Sequence, residues 1–417
     1  MRISSQQIFN IATNSMADAN EAIVNTQQQL STGQRVLKPS DDPVASTKIL
    51  ALTEELGNLD QYQKNIDLAS NDLTLQEGTL DGVNNIVQRM QELAVQAGNT
   101  ATLSPAEYKS LANEVDERMK EMVNLLNSRN AAGDYIFGGY KSTQPPFVGS
   151  ASEGFNYVGD EGQKLVKVSN NTKIPATDSG KSIFVDINSD KPTLTTDVSS
   201  TNRGDARISV GNVVDQDAYN QFYPEDMVIT FNQETAVIPN GKNFTVTEKS
   251  TGRVLLANQP YVSGQEITLK GASFYITGNP ASAAPGVAGD QMFVDSSGKQ
   301  DILTTMARFS DAMKNFDGTQ ASRDELSKTM ATTMNNLKNA QTSVLQATST
   351  IGARFNTLDS TKSQHSDSKQ VLNELMSKLR DTDYAEAASR LSMQSMVLQA
   401  AQSSFVRITQ LNLFDRL

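Results

Sequence analysis

Apolar side chains recur at every seventh position from Met330 to Leu379, through Leu337, Val344, Ile351, Leu358 and Leu372, and only His365 interrupts the series. A repeat of seven sustained over about 50 residues writes one apolar stripe along one continuous helix, roughly 75 Å long at 1.5 Å per residue. No short neighbour covers such a stripe, so the chain must supply a long partner. That partner is written near the other end. Leu52, Leu56, Leu59, Ile66, Ala69, Leu73, Leu80, Val83, Val87, Met90 and Ala94 advance in alternating steps of three and four, with Gln63 and Gln76 filling the two gaps.

A shorter helix is expected from Ser104 to Asn127, after the loop Gly98-Asn99-Thr100. Ser104 suits its cap, Pro105 its first turn, and Tyr108, Leu111, Val115, Met122 and Leu126 its apolar side. Outside Pro39, Pro43 and Pro105, residues 1–135 and 300–417 lack proline and are rich in Ala, Gln, Asn, Leu and Met, a helical composition. The middle carries the other prolines and short alternating runs: Leu165-Val166-Lys167-Val168, Val228 to Phe231, Phe244 to Thr247 and Ile267 to Leu269, with turns such as Asn240-Gly241. The fold class is therefore α+β: an elongated, heptad-patterned helical bundle formed by N- and C-terminal segments, with a central β-rich insertion domain. Residues 1–44 with 376–417 are expected to form terminal helices, 45–144 with 296–375 the bundle, and 145–295 the insertion. Gly/Pro-rich crossings near 138–146 and 280–289 suggest that the insertion folds on its own.

The two terminal helices are weaker versions of the same design. Ile8, Ala12, Met16, Ala19, Ile23, Thr26 and Leu30 make one stripe; Ala387, Leu391, Leu398, Ala401, Phe405 and Ile408 make the other, followed by Leu411, Leu413 and Phe414. Alanine, serine and threonine stand where a self-sufficient helix uses leucine, so each stripe is expected to order against neighbours.

A formal charge of -11 and the absence of any basic block argue against a nucleic-acid partner. With no cysteine and one histidine, a thiolate metal site is excluded and a zinc or histidine-based enzyme has little to build on. No segment approaches the roughly 18 to 20 apolar residues of a membrane helix, so no membrane insertion is expected, and the N-terminus has no conventional cleaved signal. Asp41, Asp42, Asp381, Asp383 and Glu386 could be imagined as catalytic or metal-binding carboxylates. They read better as helix-terminus residues, Asp42 capping a helix that starts at Pro43 and Asp381 and Asp383 favouring the start of the last one. His365 reads as seam packing with one exposed nitrogen in preference to a pH switch. Neither a nucleophile motif nor a phosphate loop appears, so no catalytic, cofactor or metal residue is assigned.

Two ends carry a resemblance. Met1-Arg2-Ile3-Ser4, Gln29-Leu30-Ser31-Thr32-Gly33-Gln34-Arg35-Val36, Lys38-Pro39-Ser40-Asp41-Asp42-Pro43-Val44-Ala45-Ser46, Tyr135-Ile136-Phe137-Gly138-Gly139-Tyr140-Lys141, Asp381 to Glu386 and Leu411-Asn412-Leu413-Phe414 resemble segments of the flagellin and hook-associated protein superfamily. The two prolines near residue 40 and the Tyr135 segment are similar to its hook-filament junction branch, whereas Gln88 to Gln96 is very like a flagellin segment that packs between protofilaments. The resemblance implies a non-enzymatic, secreted, self-assembling subunit at the hook-filament junction of an extracellular bacterial flagellum. It implies a ring of copies touching the first hook-associated protein and flagellin, type III export, and an export chaperone. A flagellin filament subunit is the alternative, and an adhesin or hydrolase carried on the insertion a distant one. The implied assembly interface comprises Ile8, Ala12, Met16, Ile23, Leu30, Arg89, Leu93, Leu391, Leu398, Phe405, Ile408, Leu411, Leu413 and Phe414.

Overall fold

A computed structural model describes residues 5–98, 103–150 and 154–414; the side chains of 5, 6, 8 and 408–414 also lie outside the description. The segment Met1 to Ser4, with Asn99 and Thr100 of the expected loop, falls outside it as well. The long helices are α1 Ser5–Thr32, α2 Pro43–Ala97, α3 Pro105–Leu126, α5 Ile302–Lys314, α6 Gln320–Arg380 and α7 Tyr384–Phe414, with a short α4 Gln216–Phe222 inside the insertion. The strands are β1 Phe147–Ser150, β2 Gly154–Tyr157, β3 Leu165–Lys167, β4 Lys173–Pro175, β5 Asn188–Val198, β6 Arg207–Ile208, β7 Asn212–Val213, β8 Met227–Phe231, β9 Asn243–Glu248, β10 Val254–Pro260, β11 Glu266–Leu269, β12 Ala272–Thr277 and β13 Gln291–Lys299. The architecture is α+β with a central β insertion, as the periodicity predicts.

Contacts divide the chain into two compact units, residues 1–64 with 359–417 and residues 65–358. Both α2 and α6 contribute turns to each unit. In the first, α1 and α7 run antiparallel: the Phe9 and Phe405 rings lie 5.2 Å apart, and buried Thr26 meets the Gln394 amide oxygen at 2.9 Å. Gly33 ends α1 at φ +70°, a conformation costly for any residue with a Cβ. The chain then bridges to the α6–α7 junction, Arg35 N–H donating to the Arg380 carbonyl at 2.6 Å and Thr382 N–H to that of Gly33 at 2.9 Å.

In the second unit the heptad stripes meet. Leu73, Leu80, Val83, Val87 and Met90 of α2 are buried with Leu337, Val344, Ile351 and Leu358 of α6. Tyr108, Val115, Met122 and Leu126 of α3 and Leu303, Met306, Phe309 and Met313 of α5 join the same core. Ser104 and Glu107 form a reciprocal capping box at the start of α3. At Gly82 a Cβ would stand 3.0 Å from a Leu125 methyl, so the missing side chain lets α3 approach α2 closely.

The insertion is built on an antiparallel sheet ordered β10-β9-β8-β13-β5, with a smaller sheet of β11-β12-β6 to which β7 adds. Its core holds Met227, Ile229, Phe231, Phe244, Val246, Phe274, Ile276, Met292 and Val294. The alternation read from the sequence thus marks β3, β8, β9 and β11 correctly. The first part of the insertion behaves differently, because Phe147, Val168, Ile174, Ile183, Phe184 and Ile187 bury themselves in the helical core. Two arginines of the helices also reach into the insertion. Arg354 of α6 grips Asp178 through two parallel bonds of 2.7 Å. Arg308 of α5, buried, donates to the carbonyls of Gly211 and Leu194 and to Thr193 and Gln300 at 2.5–2.8 Å. Burial pushes its guanidinium down to about 10, so it stays charged at neutral pH. The apolar core and these polar bonds therefore run across the border expected at residue 145.

Candidate assembly surface

Acidic residues near positions 40 and 382 shape the backbone. The Asp41 carboxylate accepts the Leu37 and Lys38 N–H groups at 3.0 and 2.9 Å. Asp42 caps α2 by accepting the Ala45 N–H at 2.9 Å, with Pro43 as the first helical residue. That backbone bond, with the Arg35 side chain, holds the Asp42 carboxyl below the usual carboxylate range. Asp383 caps α7 through the N–H groups of Ala385 and Glu386 at 2.9 and 3.2 Å. Asp381 takes a different place from the one expected: it accepts the Ser377 hydroxyl at 2.7 Å, at the end of α6.

Ala12, Met16, Ile23 and Leu30 are half-buried and share their stripe with Thr26, the residue that meets α7. Leu391, Leu398 and Phe405 are half-buried and share theirs with Gln394, the residue that meets α1. Both stripes advance in steps of three and four, so they face each other. The residues expected at a contact between copies are thus largely the seam of a helix pair within one chain. Ile8, Ile408, Leu411, Leu413 and Phe414 lie outside the described side chains.

What the pair leaves in water is a second set. Ile11 and Val24 flank the seam of α1, while Met393, Met396 and Val397 form a cluster on α7 at spacing i, i+3, i+4, with Met396 69% exposed. The stripe pattern alone does not single these residues out, because a stripe does not declare whether its partner lies inside or outside the chain. The signal was present: α7 carries two apolar faces, and one helix covers only one. Unbranched methionine adapts readily to different apposed surfaces.

Arg89 and Leu93 separate. Arg89 is half-buried on α2, held by Glu92 at 2.8 Å and Glu114 of α3 at 2.7 Å. Leu93 is a correction. It is fully buried in the core of its own unit and offers no surface to a partner. The Tyr135 segment is likewise structural. Tyr135, Ile136 and Phe137 are buried, the Phe137 and Phe184 rings meet edge to face at 5.0 Å, and Gly139 adopts φ +69° where a Cβ would strike Asp160.

Among the described residues no helix is long and apolar enough to cross a membrane. A model of the bacterial flagellin N-terminal helical region matches residues 3–142, and one of the C-terminal helical region matches residues 306–417. The chain is 29% identical over 221 residues to flagellar hook-associated protein 3 of Salmonella typhimurium strain LT2, covering 48% of this chain and 69% of the relative. Against phase 1 flagellin of Salmonella naestved it is 26% identical over 131 residues, 31% of this chain and 26% of that one. Its fold is similar to the crystal structure of flagellar hook-associated protein 3 from Legionella pneumophila, with a TM-score of 0.52 at 24% identity, covering 79% of this chain and 98% of the other. With both terminal regions matched across more than half of its length, the chain belongs to the bacterial flagellin family.

Proposed function

We propose that this chain is a structural subunit of the bacterial flagellum that joins hook to filament by forming a ring of identical copies, without catalytic turnover. The observation that carries the reading is the α1–α7 pair. Within a family of self-assembling subunits, it closes its own seam and still leaves Ile11, Val24, Met393, Met396 and Val397 in water. Apolar surface gains roughly 25 cal/mol per Å2 when it leaves water, and a soluble chain keeps a cluster of this kind when a neighbour covers it. The match to a hook-associated protein 3 spans more of both chains than the match to flagellin, which favours the junction over the filament.

The partners that follow are further copies of the chain, the first hook-associated protein on one side and flagellin on the other, with an export chaperone covering the terminal helices before assembly. Its place is outside the cell, reached by flagellar type III export. The interface of this proposal is the wet face of α1 and α7, and the half-buried seam residues act by holding the pair together.

Met396→Glu in the full-length chain tests this. Because Met396 is exposed, the thermal melt of the soluble subunit should stay within about 0.5 kcal/mol of the parent. Incorporation between hook and filament, and swimming, should be lost. A variant that assembles normally would remove this face from the interface.

A further inference from the structure

Position 365 breaks the heptad series, and the structure explains how the break is tolerated. His365 of α6 is 6% exposed, and its ring meets Tyr62 of α2 edge to face, centroids 5.7 Å apart at 73°. Its Nδ1 has neither a hydrogen-bond partner nor access to solvent. The packing expected from the sequence is present, and of the two ring nitrogens Nδ1 is the one sealed without a partner.

The charged groups around it give a proton no counterpart. On α2, Asp60 and Lys64 stand two positions either side of Tyr62, and Asp60 is already held by Lys369 at 2.5 Å. On α6 itself Lys362 and Lys369 stand three and four positions away, and Asp367 is exposed two positions on. Burial favours the neutral ring and lowers its proton affinity.

We propose that His365 makes the α2–α6 pair of the first unit an acid-sensitive joint, closed around the neutral imidazole and loosened when the ring takes a proton. The sign follows from linkage. Below the ordinary histidine value of 6.5 the unfolded chain binds a proton that the closed joint refuses. Stability is therefore complete near neutrality and falls as the pH drops through 6.5, by about tenfold in the folded-to-unfolded ratio for each pH unit down to the folded midpoint. The joint lies in the unit that carries α1 and α7, so acidification weakens the support of that pair first.

Because the chain has a single histidine, proton NMR of the full-length subunit shows one imidazole Cε1–H signal whose pH midpoint is read without assignment. The expected midpoint lies below 6.5. Melts at pH 7.5 and 5.0 complete the test: His365→Leu, which restores the repeat, should lose less on acidification than the parent. His365→Phe should behave like the leucine variant and serves if leucine impairs folding. A midpoint at or above 6.5, or leucine and phenylalanine variants that lose as much as the parent, would overturn the proposal.

Discussion

Asp311 sits on α5 facing α3, where Asp116 accepts the Ser310 hydroxyl at 2.6 Å and the Lys314 ammonium at 2.7 Å. The cation and hydroxyl nearby are therefore engaged with the other carboxylate. Burial, eased by Lys314 and reinforced by Asp116, pushes Asp311 up from 3.8 to about 6. Between those two values the folded chain holds a proton that the unfolded chain has released, so this residue makes stability fall as pH rises from 4 to 6. Allowing for partial exposure, the effect is on the order of 1–2 kcal/mol. Asp311→Asn should remove that slope and raise stability at pH 7; denaturant unfolding at pH 4 and pH 7 checks it, and an unchanged slope would contradict the assignment. The slope proposed for His365, in the other unit, has the opposite sign, so single variants separate the two.

Among the elements, α2 and α6 were the most legible in the sequence, because a seven-residue stripe of that length admits one secondary structure. The capping signals at Asp42 and Ser104 were equally local and equally readable. The break between α5 and α6, marked by Asp317 and by Gly318 at φ +84°, and the short α4, capped by Asp215, are local signals that the heptad and alternation patterns do not register. The candidate surface was legible only in part. A stripe such as Ala12-Met16-Ile23-Leu30 declares that a helix has a partner without declaring whether the partner belongs to the same chain. The border of the insertion was hidden for a related reason: Ile183 and Phe184 pack on helices far away in sequence. Excising residues 148–293 with a short linker should therefore leave a helical remainder that loses cooperative unfolding. It exposes core that Val168, Ile174 and Phe184 had covered, and removes the Thr193, Leu194 and Gly211 acceptors of Arg308. Urea unfolding followed by far-UV circular dichroism is the check, and a remainder with the parent's sharp transition would show that the insertion is a separable module after all.

At the scale of the molecule the two units divide the work by chemistry. The second gathers leucine, methionine and aromatic residues into one helical core, with buried Arg308 tying α5 to the sheet and Arg354 tying α6 to the loop at Asp178. The first leaves Ile11 and Val24 of α1 and Met393, Met396 and Val397 of α7 exposed. The role proposed for this chain is to complete the joint between hook and filament. Electron microscopy of cells lacking it tests that directly, with flagellin in the medium measured alongside. Hooks without filaments, flagellin monomers accumulating outside, and full recovery when the chain is supplied again are the predicted result; normal filaments seated on hooks in its absence would contradict it.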